Sequence, residues 1–177
     1  MSRSKTPAAK KLSRSLQAAL GRVRMLAMDV DGVLTDAGMY YSESGDELKK
    51  FNTRDGMGIK MLQAAGVITA FITKEKTAIV ERRGQKLAVP EVHQGVDDKL
   101  TDLTRLVRKH GLTLAQVAYI GDDVNDLEVL QAVGFSAAPA DAMPIVIQAV
   151  HYVCAKKGGE GAVRELADLI LAACGKS

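Results

Sequence analysis

Short apolar runs alternate with longer helical patterns along almost the whole of this chain, and three of the runs stop abruptly at polar residues. Met25-Leu-Ala-Met stops at Asp29, Val67-Ile-Thr-Ala-Phe-Ile at Thr73, and Val117-Ala-Tyr-Ile at Gly121-Asp-Asp. Apolar runs this short, without polar alternation, suit strands buried on both faces. The predicted order is strand 24–29, helix 56–65, strand 67–72, helix 76–87, a short strand 91–93, helix 98–110 and strand 117–120. Helix 124–132, strand 134–137, helix 142–149, strand 151–154 and helix 161–173 complete it. Parallel strands need crossover connections, and helices supply them. The pattern therefore predicts an α/β fold, a doubly wound, Rossmann-like parallel sheet with helices on both faces. One stretch breaks the alternation. In Gly38–Phe51, two short strand-like runs flank Ser44-Gly45, which reads as a β-hairpin.

The polar ends carry the chemistry. Asp29 and Asp31 are spaced i and i+2, with Gly32 directly behind them. At a strand end such residues point the same way. Two carboxylates on one side repel unless a cation lies between them or one stays protonated. Taken alone, the pair also fits a strand followed by a solvated acidic turn. Thr73 closes the second run, Lys99 opens the helical pattern Leu100, Leu103, Leu106, Val107, and Asp122, Asp123 and Asp126 follow the third run. The carboxyl ends of an open parallel sheet are where ligands bind. Carboxylates, a hydroxyl and a lysine gathered there suit a phosphate group and a hard cation such as Mg²⁺.

The order Asp-x-Asp-Gly, Thr, Lys, Gly-Asp-Asp-x-x-Asp resembles the haloacid dehalogenase superfamily of phosphotransferases, from about Met25 to the C-terminal helix. The resemblance implies that Asp29 is the nucleophile that forms an aspartyl-phosphate. Asp31 would be the acid for the leaving oxygen and then the base for water. Thr73 would bond the phosphoryl group, and Lys99 would neutralise its charge and orient Asp29. Asp122 would bind Mg²⁺ with Asp29 and the backbone carbonyl of Asp31. Asp126 would stand behind Lys99 or a metal-bound water, with Asp123 in the same outer set or only solvated in its acidic turn. Many relatives carry a separate cap domain. Here the intervals Asp29–Thr73 and Thr73–Lys99 leave no room for one, so the site is expected to be open in a monomer, with Met39, Tyr40, Leu48 and Phe51 of the hairpin exposed.

The capless form, the Val33-Leu-Thr-Asp36 turn, the hairpin, Phe51-Asn-Thr-Arg-Asp-Gly56, Gln94-Gly95 and Gly158-Gly-Glu-Gly-Ala-Val-Arg-Glu165 narrow the resemblance. Together they are similar to the 3-deoxy-D-manno-octulosonate (KDO) 8-phosphate phosphatases and their relatives acting on 9-phosphates of KDN and sialic acids. That likeness implies a Mg²⁺-dependent homotetramer whose hairpins form a central barrel and cover neighbouring sites, with a glycine-rich C-terminal tail as a mobile flap. Thr73-Lys74-Glu75 departs from the Thr-Gly-Arg of the octulosonate group. Glu75, Arg83, Lys86 and Thr53 look more like the nine-carbon branch, whereas Arg54-Asp55-Gly56 fits the octulosonate branch. Gly32, Thr53, Lys74, Glu75, Arg83, Lys86 and Arg164 are the candidate substrate contacts, with Arg83 or Lys86 reaching across an interface. For Arg164, a bond to a substrate carboxylate and a role at its own helix start both remain open. The rival readings are a phospho-acceptor receiver module and a catalytically inactive regulatory domain.

Charge and composition limit the alternatives. Seven basic residues and no acidic ones precede Asp29, and the remainder holds 17 basic against 21 acidic residues. The opening segment with Arg3, Lys5, Lys10, Lys11 and Arg14 reads as a basic tail. Leu12, Leu16, Leu20 and Val23 then suggest a short packing helix, so residues 1–23 are set apart from a phosphatase domain at 24–177. No aromatic residue lies among those charges, which weighs against nucleic-acid binding. Neither a membrane span nor an apolar signal region is evident, and a cytoplasmic protein is expected. Two cysteines, Cys154 and Cys174, give no disulfide framework.

Overall fold

The computed structural model describes residues 13–45 and 47–175. Its centre is a six-stranded sheet in which every neighbouring pair is parallel. The strands are β1 (Met25–Met28), β4 (Ile68–Thr73), β5 (Glu91–Gln94), β6 (Val117–Ile120), β7 (Phe135–Ala138) and β8 (Tyr152–Val153), in the spatial order β5-β4-β1-β6-β7-β8. The strand order reverses at β1, which pairs with β4 on one side and β6 on the other. That reversal opens a crevice at the carboxyl ends of the strands. The hairpin lies outside this sheet, as β2 (Tyr40–Tyr41) paired antiparallel with β3 (Glu47–Leu48).

Strand alternation splits the core into two layers. Leu26 and Met28 of β1 pack with Phe71, Ile120 and Phe135 beneath α1 (Arg14–Gly21), α2 (Thr53–Ala64) and α7 (Ala162–Ala173). Met25 and Ala27 face the other way. They join Ile72 and Tyr119 against α4 (Lys99–Lys109), α5 (Leu127–Ala132) and α6 (Pro144–Ala149). Helix α3 (Ala78–Leu87) adds Val80 and Leu87 to the first layer. Helix α4 shows why the sequence picks this arrangement. Leu103, Leu106 and Val107 form one buried stripe, Asp98 caps the first turn by accepting from Thr101 N at 2.8 Å, and Arg108 and Lys109 complete the last turn.

The element order agrees with expectation, with local differences. The segment foreseen as one helix at 124–132 begins as a turn of 3-10 helix, Val124–Asp126, before α5. The side chain of Asp126 turns back onto backbone N–H groups there, which tightens that turn. Helix α1 packs into the core through Ala19 and Leu20, with Val23 behind it. Arg3, Lys5, Lys10 and Lys11 of the basic tail lie outside the described residues. Cys154 is buried and Cys174 half-buried, both as free thiols. No helix among the described residues is long and apolar enough to cross a membrane.

Each histidine is engaged by a side chain outside the acidic cluster. His93 meets Asp102 at 2.6 Å, His110 meets Glu91 at 2.7 Å, and His151 meets Ser136 at 2.8 Å.

One carboxylate joins two helix starts. Asp55, in the first turn of α2, is fully buried and accepts from Gly161 N at 3.2 Å and Arg164 N at 2.8 Å at the start of α7. Asp55→Ala strands both donors in the interior, at a cost of about 2 kcal/mol. A fall in Tm of roughly 4–8 °C in a thermal melt is the expected result for a chain of this size.

Candidate active site

The turns that follow β1 and β6, and Thr73 at the end of β4, lie at the carboxyl edge that forms the crevice. Asp29 follows β1 directly; its N–H donates to Ile120 O at 3.0 Å, which extends the β1–β6 ladder by one bond. The chain then turns tightly, with the N–H groups of Val33, Leu34 and Thr35 all donating to Val30 O. Gly32 takes φ +82°, and a Cβ there would fall 2.0 Å from Asp122 Oδ2, so only glycine fits between the two acidic turns. Thr73 ends β4 with its side chain buried.

Lys99 is the first residue of α4 and almost wholly buried. A cation at a helix start opposes the dipole. Two carboxylates compensate: Nζ is 2.8 Å from Asp29 Oδ2 and 2.7 Å from Asp126 Oδ1. Burial alone would lower the Lys99 pKa, but the two carboxylates more than offset that and raise it. Asp126 is buried and saturated. Oδ1 accepts from Lys99 and from Tyr119 OH at 2.7 Å, and Oδ2 from the N–H groups of Asp122 at 3.0 Å and Asp123 at 3.4 Å. Asp123 is exposed and caps the 3-10 turn through Val124 N at 2.7 Å.

Asp29, Asp122 and Asp126 each bring a carboxylate oxygen within 4.8 Å of the others. With Asp126 fully engaged, Asp29 and Asp122 remain to face a ligand. Asp122 Oδ1 is buried with no partner among the described residues. Burial, and then the charges of Asp29 and Asp126, push the Asp122 pKa up from 3.8 to about 8. Burial, and then Asp126, push that of Asp29 up to about 7, against the pull of Lys99. An all-oxygen donor set with an orphaned carboxylate oxygen and excess negative charge fits a hard divalent cation of the Mg²⁺ kind.

Asp31 is half-buried in the turn after Asp29. Its Oδ1 accepts from Lys49 Nζ at 2.7 Å and, weakly, from Thr35 Oγ1 at 3.4 Å, whereas Oδ2 is buried and unpartnered among the described residues. The same Lys49 ammonium is 2.7 Å from Glu75 Oε2. Burial would lower the Lys49 pKa, but hydrogen bonds to Asp31 and Glu75 raise it well above its usual value.

Sequence reasoning passed over Lys49 and Tyr119. Each had a signal: a lysine immediately beyond a strand-like run, and a lone hydroxyl two residues before Gly121 in an apolar strand.

The candidate substrate contacts scatter. Gly32 lines the crevice against Asp122, and Glu75 faces Lys49. Lys74 points outward, 3.6 Å from the exposed Asp97. Thr53 and Lys86 are exposed, at the start of α2 and in the last turn of α3. Arg83 has partners within its own chain. Its guanidinium lies 5.2 Å from the Phe51 ring centroid, and Nη2 donates to Asn52 O at 3.0 Å. Phe51, expected to be exposed, is accordingly half-buried. Arg164 Nε donates to Asp168 Oδ1 at 2.8 Å, one turn along α7. The glycine-rich segment before α7 is packed tightly: Gly159 N donates to Val33 O at 3.0 Å, and a Cβ at Gly158 would fall 1.9 Å from Gly32 O.

Comparison with known proteins agrees with this geometry. Residues 68–166 match the family of haloacid dehalogenase-like hydrolases. A 3-deoxy-D-manno-octulosonate 8-phosphate phosphatase of Escherichia coli K12 is 44% identical over 154 residues, 87% of this chain and 82% of that protein. The crystal structure of the Yersinia pestis 3-deoxy-D-manno-octulosonate 8-phosphate phosphatase superposes with a TM-score of 0.90 at 42% identity, covering 92% of this chain and 88% of the other. The Moraxella catarrhalis phosphatase of the same name, solved with magnesium, phosphate and KDO, gives a TM-score of 0.87 at 39% identity over 89% of this chain and 91% of that one.

The raised Asp122 and Asp29 pKa values set a pH dependence. Between their ordinary carboxylate range and about 7–8, the folded, metal-free protein binds protons that the unfolded chain does not. Stability therefore falls as pH rises through that window. Metal-free protein should melt at a higher temperature at pH 6 than at pH 9. Millimolar Mg²⁺ should raise Tm most at pH 9, and Asp122→Asn should remove most of that rise.

Proposed function

The chain belongs to the haloacid dehalogenase-like hydrolases and is a phosphoric monoester hydrolase, and we propose that its substrate is the 8-phosphate of KDO, a 2-keto-3-deoxy sugar acid. The observation that carries the reading is Asp29 held by Lys99 at the end of the central strand, beside the unpartnered oxygen of Asp122. Curated relatives 42% and 44% identical over 93% and 87% of this chain are phosphatases of that substrate. Glu75 is paired with Lys49 within its own chain, which supports the eight-carbon reading over a nine-carbon acid. The strand order and the Asp pair on β1 also separate the chain from a receiver module, whose acceptor belongs on a later strand.

Phosphate monoester hydrolysis is among the slowest uncatalysed reactions, and most of its catalysis is alignment and charge neutralisation. The Asp29 carboxylate attacks phosphorus, forming the aspartyl-phosphate as the bond to the sugar oxygen breaks. Asp31 gives that oxygen its proton through Oδ2, the oxygen left free. Lys99 and the Thr73 hydroxyl hold the phosphoryl oxygens during transfer. Asp31, now a carboxylate, takes a proton from water, which attacks phosphorus and releases inorganic phosphate and Asp29. Asp29, the Asp31 carbonyl and Asp122 would hold Mg²⁺, which would supply the positive charge that lets a carboxylate approach a phosphate dianion. Asp126 and Tyr119 do not touch substrate; they hold Lys99 in place.

We place the hairpin at the centre of a homotetramer. Met39, Tyr40, Tyr41 and Leu48 are exposed on it, an apolar patch that a neighbouring subunit would cover. Tyr41 and Leu48 are the barest, at 69% and 66% exposure, so they mark the centre of that contact. Light scattering should give a tetramer for the native chain and smaller species for a Tyr41→Glu, Leu48→Glu double variant; an active native monomer would reject the assembly.

Steady-state rates on KDO 8-phosphate, KDN 9-phosphate and N-acetylneuraminate 9-phosphate test the substrate, with the first expected to lead. Asp29→Asn should abolish turnover and the acid-stable mass increment of the phosphoenzyme while leaving Tm near or above that of the native protein. Activity that persists in that variant would remove Asp29 from the nucleophile's role.

A further inference from the structure

Lys49 has no part in the mechanism above, yet its surroundings are those of a working group. It follows β3 directly, and its neighbour Leu48 faces out while its own side chain turns in and is wholly covered. The ammonium meets Asp31 Oδ1 and Glu75 Oε2 at 2.7 Å each, with Glu47 Oε1 at 3.5 Å. Three separate segments therefore meet at one charge: the hairpin, the turn after β1 and the loop after β4. An exposed ion pair is worth little, but this one is shielded by its own covering. It also divides the Asp31 carboxylate. Oδ1 is occupied by Lys49 and Thr35, and Oδ2 is left buried and without a partner among the described residues.

We propose that Lys49 is a positioning residue for the proton-transfer step. It pins Asp31 Oδ1 so that Oδ2 faces the leaving oxygen, and Glu75 pins Lys49 in turn. Asp31 lies in a turn, where a carboxylate with no anchor samples several rotamers. Fixing it removes that freedom before the substrate arrives, and alignment of this kind is a main source of rate. A lysine suits the place because its compact charge serves two carboxylates from different directions. Glu75 thereby acts through Lys49 and not by reading the sugar acid. The inference rests on Asp31 being the acid–base group.

The test compares kcat/KM for KDO 8-phosphate with that for p-nitrophenyl phosphate, since kcat/KM covers steps up to the aspartyl-phosphate. The sugar oxygen needs a proton to leave, and p-nitrophenolate does not. Lys49→Met should lower kcat/KM on the sugar phosphate at least ~10-fold more than on p-nitrophenyl phosphate, within the ~10²–10⁴ range of acid–base catalysis. The loss should lie in kcat. Lys49→Arg should recover most of it, and Glu75→Gln should show the same selectivity in smaller measure. Equal losses on both substrates, or a loss confined to KM for the sugar, would overturn the proposal. Asp31→Asn run in parallel separates the two failures: if it shows no leaving-group selectivity, the acid–base reading itself is wrong. Should Lys49→Met fail to fold, Glu75→Gln decides the matter, because without selectivity there the proposal falls.

Discussion

Lys99 makes the carboxyl edge of this sheet possible. Three carboxylates converge there within a few ångströms, two of them buried, and an isolated buried carboxylate costs many kcal/mol. One ammonium between Asp29 and Asp126 compensates most of that charge. Asp126 then spends its remaining lone pairs on Tyr119 and two backbone N–H groups. The result is a rigid half and an unfinished half. Asp126 is fully satisfied and fixes Lys99; Asp122 keeps an orphaned oxygen and a raised pKa, so the free energy of completing the set is left to a ligand. Because the lysine comes from the start of α4 and the carboxylates from the ends of β1 and β6, the same contact also fixes the crossover helix against the central strands.

Close backbone approach is the second constraint, and it explains why the turns are made as they are. Gly32 lets the β1 turn pass against Asp122, Gly121 lets β6 end against the side chain of Asp126, and Gly158 lies on the carbonyl of Gly32. These contacts stack three chain segments more tightly than side chains allow. The capless architecture thus keeps its reactive turns in place by backbone packing, where larger relatives could use a lid. The buried Asp55 extends the same scheme outward by tying α2 to the start of α7.

Much of this was legible in the sequence because the strands are buried on both faces. Val117–Ile120 has the predicted boundaries, and the other strands differ by one or two residues, since an uninterrupted apolar run leaves little doubt about where the sheet begins. The positions of Asp29, Asp31, Thr73 and Asp122 were legible for a related reason: polar residues at the ends of such runs have only one edge to occupy. The substrate side was not legible. Phe51 reads as exposed until Arg83, far along the chain, is seen to cover it. Arg164 reads as a substrate contact or a group at its own helix start until Asp168 takes it. Lys49 and Tyr119 were passed over, because their partners Asp31 and Asp126 lie in other turns. In each case the deciding partner comes from another element or another turn, and neither local periodicity nor composition carries that information.

The last residue of the hairpin strand β3 and the residue after it serve opposite environments: Leu48 toward the outside, Lys49 toward Asp31. Side-chain direction in a strand has a period of two, so a slip of one residue exchanges the two faces. A single-residue insertion between the hairpin tip and Phe51 would therefore bury a leucine where an ammonium belongs and present a lysine to the outside. An insertion of two would restore both. The stretch from Leu48 to Phe51 is thus restricted by parity more than by length: a change of two residues keeps both faces, while an odd change would damage surface and chemistry in the same event.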